Sequence, residues 1–496
     1  MRTYPVFAIF LLALAVFSAI HAVPGFGDPD AYYHLAIAKQ MIASGPVRDF
    51  TWLPFTTLSG HFADQHFLYH VALMPFLSVL GDFYGLKIAT IVFAALAMTA
   101  FAWMLGAYGV RRPWLWTLPL LVSTGFLFRL LLTKATALAL VAFFLGLGFL
   151  KMKKRFALFF VAFAYAWLHG SWPILGIAAL AHAIVRKDPK TFFVVMGGLA
   201  AGFVLNPFFP ENFLFNWEQI VQIAVLGSRD AGVQVGNEWS PVEISQLLVE
   251  NVPVFFALAA SFAYLSLMIW RKEPAPAVPE DRRRSIVFAA SLACVFLLMA
   301  LRQARHKEYF LPLALFAGAL LGDALQLDTR QAFARLRAWW GRRFNLLLAA
   351  ILACFAFVAI HGVWYAHQLY ARRVPFVRFE RAGAWMQAHV PPGEIVFHAS
   401  WDDFPFLFYR DPAHRYIAGM DPLFLYRNDP SHYWLWRDIG DGRRREPAAL
   451  IKSHFEAQYV FVDPKRDKFL TTIKNDPSFE RVYADAEAEV WKITAR

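Results

Sequence analysis

The chain has 496 residues, 58% of them hydrophobic and only 17% charged, with a mean hydropathy of +0.43, whereas an average soluble domain carries about 25% charged residues. This excludes an ordinary soluble enzyme, and 50 Phe and 17 Trp beside only 2 Cys exclude a disordered chain, a disulfide scaffold and a zinc module. The net charge of +12 is concentrated in short stretches between apolar runs, as in the cytoplasmic loops of polytopic membrane proteins, so it reads as topology and not as nucleic-acid binding.

The first apolar run, Tyr4 to Ala22, follows a single Arg2 and lacks a small-x-small cleavage site before Gly25, so it reads as a retained first span with the N-terminus inside. Further apolar runs cover 66 to 82, 86 to 109, 113 to 128, 131 to 150, 156 to 168, 170 to 185, 190 to 206, 252 to 270, 285 to 301, 308 to 323 and 344 to 366. Several fall short of the ~20 residues that cross a bilayer and are expected to be tilted or broken. Basic stretches separate them at Lys151 to Arg155, Arg186-Lys187, Arg271 to Arg284 and Arg330 to Arg343. Placing these inside puts His169, the loop from Asn206 to Glu250, the Arg302 to Lys307 segment and everything after about His367 outside. That orientation needs an odd number of spans, so the count of twelve runs is off by one between 66 and 150.

The last 130 residues or so differ, with more charge, Pro-Gly punctuation and no spanning run. Glu394 to Ser400 and Gln458 to Asp463 read as buried strands, Ala384 to His389 and Ala448 to Phe455 as helices, and Arg481 to Ile493 as strands around a turn. The expected fold is therefore a polytopic α-helical membrane protein of roughly 11–13 transmembrane helices, occupying 1–366 with external loops at 23–65 and 207–250, followed by a soluble extracytoplasmic α/β domain at 367–496.

The most informative segment is Gly27-Asp28-Pro29-Asp30-Ala31-Tyr32-Tyr33-His34, where the first span ends. Two carboxylates at the lip of a span are costly unless used. Asp28 and Asp30 can act as general base or hold a divalent cation, Mg2+ or Mn2+, through oxygen. The plain alternative is that Asp30 caps the helix Ala31 to Ala43. That helix presents Tyr32, Tyr33, Leu35, Ile37 and Ile42 on one broad apolar face with His34 and Lys39 elsewhere, as expected of an interfacial helix lying along the outer leaflet. Asp64-Gln65-His66 then brings another acid and an imidazole to the same depth.

This order, a span, Asp-Pro-Asp-Ala-Tyr-Tyr-His-Leu on an external helix and Asp-x-His opening the second span, resembles the first external loop of the membrane glycosyltransferases of the C fold (GT-C). The resemblance is strongest to oligosaccharyltransferase catalytic subunits and to bacterial proteins similar to the dolichyl-phosphate-mannose-dependent mannosyltransferases. Trp167 to Gly170, Asn206-Pro207, Asn237 to Pro241 and Arg302 with Arg305 agree in order. The resemblance implies that Asp28 or Asp30 is the catalytic carboxylate and that the sugar donor hangs on a polyprenyl phosphate. Ser400-Trp401-Asp402-Asp403-Phe404 loosely resembles the Trp-Trp-Asp signature that contacts the acceptor sequon, but Ser400 replaces one Trp, and Asp403-Phe404 stands in place of an aromatic residue and Gly. Asp402 has the plain alternative of a cap.

A departing lipid phosphate develops negative charge, and Arg302, Arg305, His306 and Lys307 form a basic group suited to it, with Arg129 and Lys134 as second candidates. His34, Asp64, His66, His169, Glu238, Trp239, Asp402 and Asp403 are expected to line the cavity or contact the acceptor. Gly-x-Ser-x-Gly, Walker and His-Glu-x-x-His motifs are absent; Cys294 and Cys354 lie in apolar runs as packing residues. The expected protein is a bacterial inner-membrane glycosyltransferase whose partners are the polyprenyl-phosphate-linked sugar, membrane lipids and an acceptor (protein, lipid or glycan) that the sequence does not identify. The competing readings are a lipid-linked-sugar flippase, which would repeat polar residues at mid-membrane depth, and a non-catalytic partner in cell-envelope polysaccharide export.

Overall fold

The apolar runs become helices whose exposed faces are as apolar as their buried ones. A computed structural model describes all residues except 1–3, 221–231, 234–235, 271–276, 326–333, 335–336, 339–340, 342 and 495–496. Parts of the basic stretches Arg271 to Arg284 and Arg330 to Arg343, and of the 207–250 loop, thus lie outside the described residues. The chain divides into two units, Met1–Val23 with Lys87–Leu205 and Asn237–Arg372, and Pro24–Leu86 with Asn206–Gly236 and Arg373–Arg496.

The described elements of the first unit are helical. Among the described residues three helices are long and apolar enough to cross a membrane: Phe67–Ala107, Glu280–Arg302 and Arg343–Ala371, with Ile244–Glu250 and Val252–Ser266 forming a fourth pair bent by 87°. Shorter apolar helices are Tyr4–His21, Thr136–Met152, Arg155–Leu168, Pro173–Arg186 and Pro189–Val204. Arg343–Ala371 leaves Leu346, Leu352, Phe357, Ile360 and Trp364 exposed, and a continuous apolar face of this size requires lipid around it. Helices Arg155–Leu168 and Pro189–Val204 pack through Gly198 and Gly202, where a Cβ would stand 2.4 Å from the Phe159 carbonyl oxygen and 2.7 Å from that of Phe163. Small residues let helix backbones meet where the surrounding solvent provides no hydrophobic drive. Cys294 and Cys354 are exposed on their helices.

The runs at 66–82 and 86–109, counted separately in sequence, form two helical segments within Phe67–Ala107, broken at Gly81 with φ 72° and ψ 176°. A side chain is strained in that conformation, and glycine is not.

The second unit combines the first loop with the C-terminal segment. β1 (Gly25–Phe26) pairs antiparallel with β2 (Val374–Pro375). β3 (Ile395–His398), β4 (Arg415–Tyr416), β5 (Tyr459–Val462), β6 (Phe479–Ala484) and β7 (Glu489–Ile493) form a mixed sheet in the order β4-β3-β5-β7-β6. β3 runs parallel to β4 and β5, and β7 antiparallel to β5 and β6. β3 and β5 are wholly buried, which is why they read as continuous apolar runs. Helices Glu380–His389 and Pro447–Phe455 stand where periodicity predicted them; β4 and the helices Phe404–Arg410, Leu423–Asn428, Pro430–Gly440 and Asp467–Lys474 were not foreseen.

Helix Asp30–Ser44 is not the interfacial helix expected from its sequence. Every residue from Ala31 to Ala38 is buried, because helix Phe404–Arg410 packs along it. Tyr32 meets Phe376, Phe406 and Tyr409 and donates its hydroxyl to the Pro375 carbonyl at 2.8 Å. The β1–β2 pair is so close that a Cβ on Gly25 would lie 2.0 Å from the Val374 carbonyl oxygen. Gly25→Val is therefore expected to cost about 1–3 kcal/mol through overpacking, read as a lower melting temperature of the detergent-solubilised protein.

Candidate active site

In the second unit the first-loop acids sit in the turn that starts helix Asp30–Ser44. The cap is not Asp30: the Asp28 carboxylate accepts the Asp30 amide at 2.8 Å, and Asp30 is the first residue of the helix. Asp28, Pro29 and Asp30 are half-buried. The expected divalent-cation site at Asp28 and Asp30 finds no third ligand: among the described residues no group of three or more His, Cys, Asp or Glu could hold a metal ion.

The second acid pair comes from the carboxyl end of β3, the edge where parallel α/β sheets place ligands. The chain leaves β3 through Ser400 into a short turn, Trp401–Asp403, and then helix Phe404–Arg410. Asp402 is exposed, Asp403 buried. Arg466, beyond the end of β5, donates to the Ser400 hydroxyl at 2.5 Å, and Arg378 bonds Asp463 at 2.7 Å. Desolvation raises the proton affinity of Asp402, opposed by Arg466 and reinforced by the negative charge of Asp28. Burial pushes Asp403 up to about 7, with Arg466 and Arg378 pulling down and Asp463 and Asp402 pushing further up. Asp28 and Asp402 thus share one electrostatic neighbourhood.

His34 and Asp64 meet in a third cluster through a residue that sequence reading passed over, His70. His70 Nδ1 is 2.6 Å from Asp64 Oδ2, and His70 Nε2 is 2.8 Å from His34 Nδ1. The His66 amide donates to Asp64 Oδ1 at 2.9 Å, and the His66 ring lies 5.3 Å from that of His34. Burial would raise Asp64, but the adjacent His70 and its hydrogen bond outweigh burial and hold Asp64 below the usual carboxylate range. The signal was available: His66 and His70 are four apart, on one helical face, just after the acid that opens the helix.

In the first unit the members of the basic group expected at Arg302 to Lys307 have different partners. Lys307 is buried against Glu250 at 3.2 Å. Arg305 stacks over the Trp239 ring at 4.3 Å, Arg302 is exposed at the end of helix Glu280–Arg302, and His306 is lowered to about 4 by burial and by Arg305. The buried centre is Arg129, which donates to Glu238 at 2.8 Å and to Glu308 at 3.1 Å, with Lys134 3.9 Å from Glu238. Lys134 foremost, then Arg305 and Arg129, hold Glu238 far below its ordinary range against the cost of burial. His169 belongs to a separate polar knot in this unit: its Nδ1 accepts the Ser171 amide at 2.9 Å and lies 2.7 Å from the Ser171 hydroxyl, which is 2.9 Å from the hydroxyl of Tyr309.

With the helical unit, the mixed sheet and the acid-bearing first loop in place, solved structures of the same design can be compared. The chain matches the apo oligosaccharyltransferase of Archaeoglobus fulgidus with a TM-score of 0.64 at 12% identity, over 96% of this chain and 72% of that one. It matches the arabinofuranosyltransferase AftD from Mycobacteria (TM-score 0.63, 15% identity, 100% of this chain, 40% of that one) and ArnT from Cupriavidus metallidurans bound to undecaprenyl phosphate (0.60, 14%, 99% and 98%). The chain has the GT-C fold. No sequence-family description matches this GT-C chain, and no curated protein resembles it in sequence.

Two outcomes are expected from these environments. Arg129→Ala leaves Glu238 and Glu308 without their shared cation and is expected to destabilise the protein by about 3 kcal/mol, the low end for breaking a buried ion pair, seen as a lower melting temperature. Asp403 has a folded pKa of about 7 above its unfolded value, so the stability linked to its neutral form is complete below about pH 4 and lost as pH rises through 7. Asp403→Asn should abolish that loss, melting higher than the parent at pH 8 and level with it at pH 4.

Proposed function

We propose that this chain is an integral-membrane inverting glycosyltransferase that moves a sugar or oligosaccharide from a polyprenyl phosphate or diphosphate to an acceptor on the external face of the membrane. The observation that carries the reading is a GT-C fold over nearly the whole chain whose first-loop acids share a unit, and an electrostatic neighbourhood, with the acid after β3. The solved ArnT holds undecaprenyl phosphate, and one form of the Archaeoglobus enzyme is tethered to an acceptor peptide; both support a lipid-linked donor and a separate acceptor here.

On this reading Asp30, with Asp28 fixing its turn, orients the acceptor nucleophile and takes its proton, while Asp402 and Asp403 contact the acceptor. The acceptor oxygen bonds to the anomeric carbon as the carbon–oxygen bond to phosphate breaks, the electron pair leaving on the phosphate. In the first unit Arg129, Lys134 and Arg305 gather around two carboxylates, Glu238 and Glu308. This cluster of cations, with Arg302, suits a phosphate group. The short apolar helices complete the membrane domain, with the N-terminus inside and the C-terminal α/β segment outside the bacterial inner membrane.

The test is release of sugar from a polyprenyl-phosphate donor pool by the purified protein, followed by thin-layer chromatography. Asp28→Asn and Asp30→Asn are each expected to lower turnover by at least about 100-fold, the scale of lost general-base catalysis, while melting like the parent; unchanged turnover in both removes the acid-loop mechanism.

A further inference from the structure

We propose that Asp64, His70 and His34 form a proton relay that draws the acceptor's proton off the Asp30 base during each glycosyl transfer; the inference rests on the transfer reading above and adds residues to it. The three side chains are 4%, 0% and 2% exposed and joined end to end by contacts of 2.6 and 2.8 Å. Buried polar groups in such a line are constrained by each other's donors and acceptors. The Asp64 carboxylate can only accept, so neutral His70 carries its proton on Nδ1 and offers Nε2 as acceptor. His34 must then donate from Nδ1, which makes its Nε2 the basic end of the chain. The second ring nitrogen of each histidine is thus set by the partner of the first.

His34 lies four residues after Asp30 on the same helix, one turn along the same face. When the acceptor oxygen bonds to the anomeric carbon, the donor's carbon–oxygen bond breaks towards phosphate and the acceptor proton goes to Asp30. The relay moves that proton to His34 Nε2, while the His34 Nδ1 proton passes to His70 Nε2. The positive charge comes to rest on His70 against Asp64 while the new bond forms; when the product leaves, the proton returns by the same path to half-buried Asp30 and from it to water, so that Asp30 is again a carboxylate and both imidazoles are again neutral. No oxidant, metal or further reactant is needed. Among the described residues Tyr33, His66 and Tyr69, whose rings lie within 6.4 Å, and Asp64 face the two imidazoles; Asp30 stands four residues before His34 on the His34 helix. Tyr33 and Tyr69 are phenols and neutral through the working range; His66 is the third imidazole of the cluster. A packing role alone would explain burial, but it does not call for two imidazoles in series ending on a carboxylate.

The experiment is single-turnover sugar transfer from a preloaded lipid donor, followed from acid to alkaline pH, for the parent, His70→Gln, Asp64→Asn and Asp30→Asn, each checked by its melting curve. His70→Gln keeps a donor and an acceptor but carries no proton, so its rate constant should fall about 10²–10⁴-fold with KM unchanged, and the acid limb of the profile should vanish. Asp64→Asn withdraws the counter-charge from the His70 imidazolium, so the acid limb should move to lower pH. His70→Gln with the parent's rate and profile overturns the relay while leaving the transfer reading intact, provided Asp30→Asn is inactive. Absence of turnover in the parent overturns both. A measurement on the parent alone needs no folded variant: in mixtures of H2O and D2O the relay predicts a bowed dependence of rate on deuterium content, from more than one proton in motion, and a straight line overturns it.

Discussion

The burial of one short helix governs the second unit. Asp30–Ser44 has no interior of its own, and its Tyr32, Tyr33, Leu35 and Ile37 are buried, with the rings of Phe406, Phe408 and Tyr409 from the C-terminal segment against the two tyrosines. Each such side chain contributes about 1.5–3 kcal/mol on leaving water, enough together to fix the first loop to a segment more than 300 residues away. The β1–β2 pair, possible only because Gly25 has no side chain, fixes the register at one end. The Asp28 turn is therefore held by packing, and Asp28 comes to share an electrostatic neighbourhood with Asp402.

Charge in the first unit is managed by pairing. Arg129 divides its donors between Glu238 and Glu308, and Lys307 takes Glu250. Partly buried cations of this kind are costly without such partners.

The fold class was legible because hydrophobicity and its period follow directly from burial in lipid or in a core. The Tyr4–His21 helix, the strands at Ile395–His398 and Tyr459–Val462, and the β6–β7 turn all stand where runs and alternation put them. Reading failed where long-range contact overrode local pattern. Asp30–Ser44 is amphipathic by sequence and buried by packing. The expected phosphate group at Arg302 to Lys307 was compact in sequence, but the helix end and the turn after it send its members to different partners.

Composition and order along the chain by themselves determined a membrane protein, a C-terminal α/β segment and an acid-bearing first loop, because each depends on local residue types. Tertiary structure alone decided which groups meet: His70 joins Asp64 to His34, Arg129 bridges Glu238 and Glu308, and the Asp28 carboxylate takes the Asp30 amide. Hydrogen bonds and ion pairs act over about 3–4 Å, and no pattern in a one-dimensional sequence reports which distant residues come within that reach.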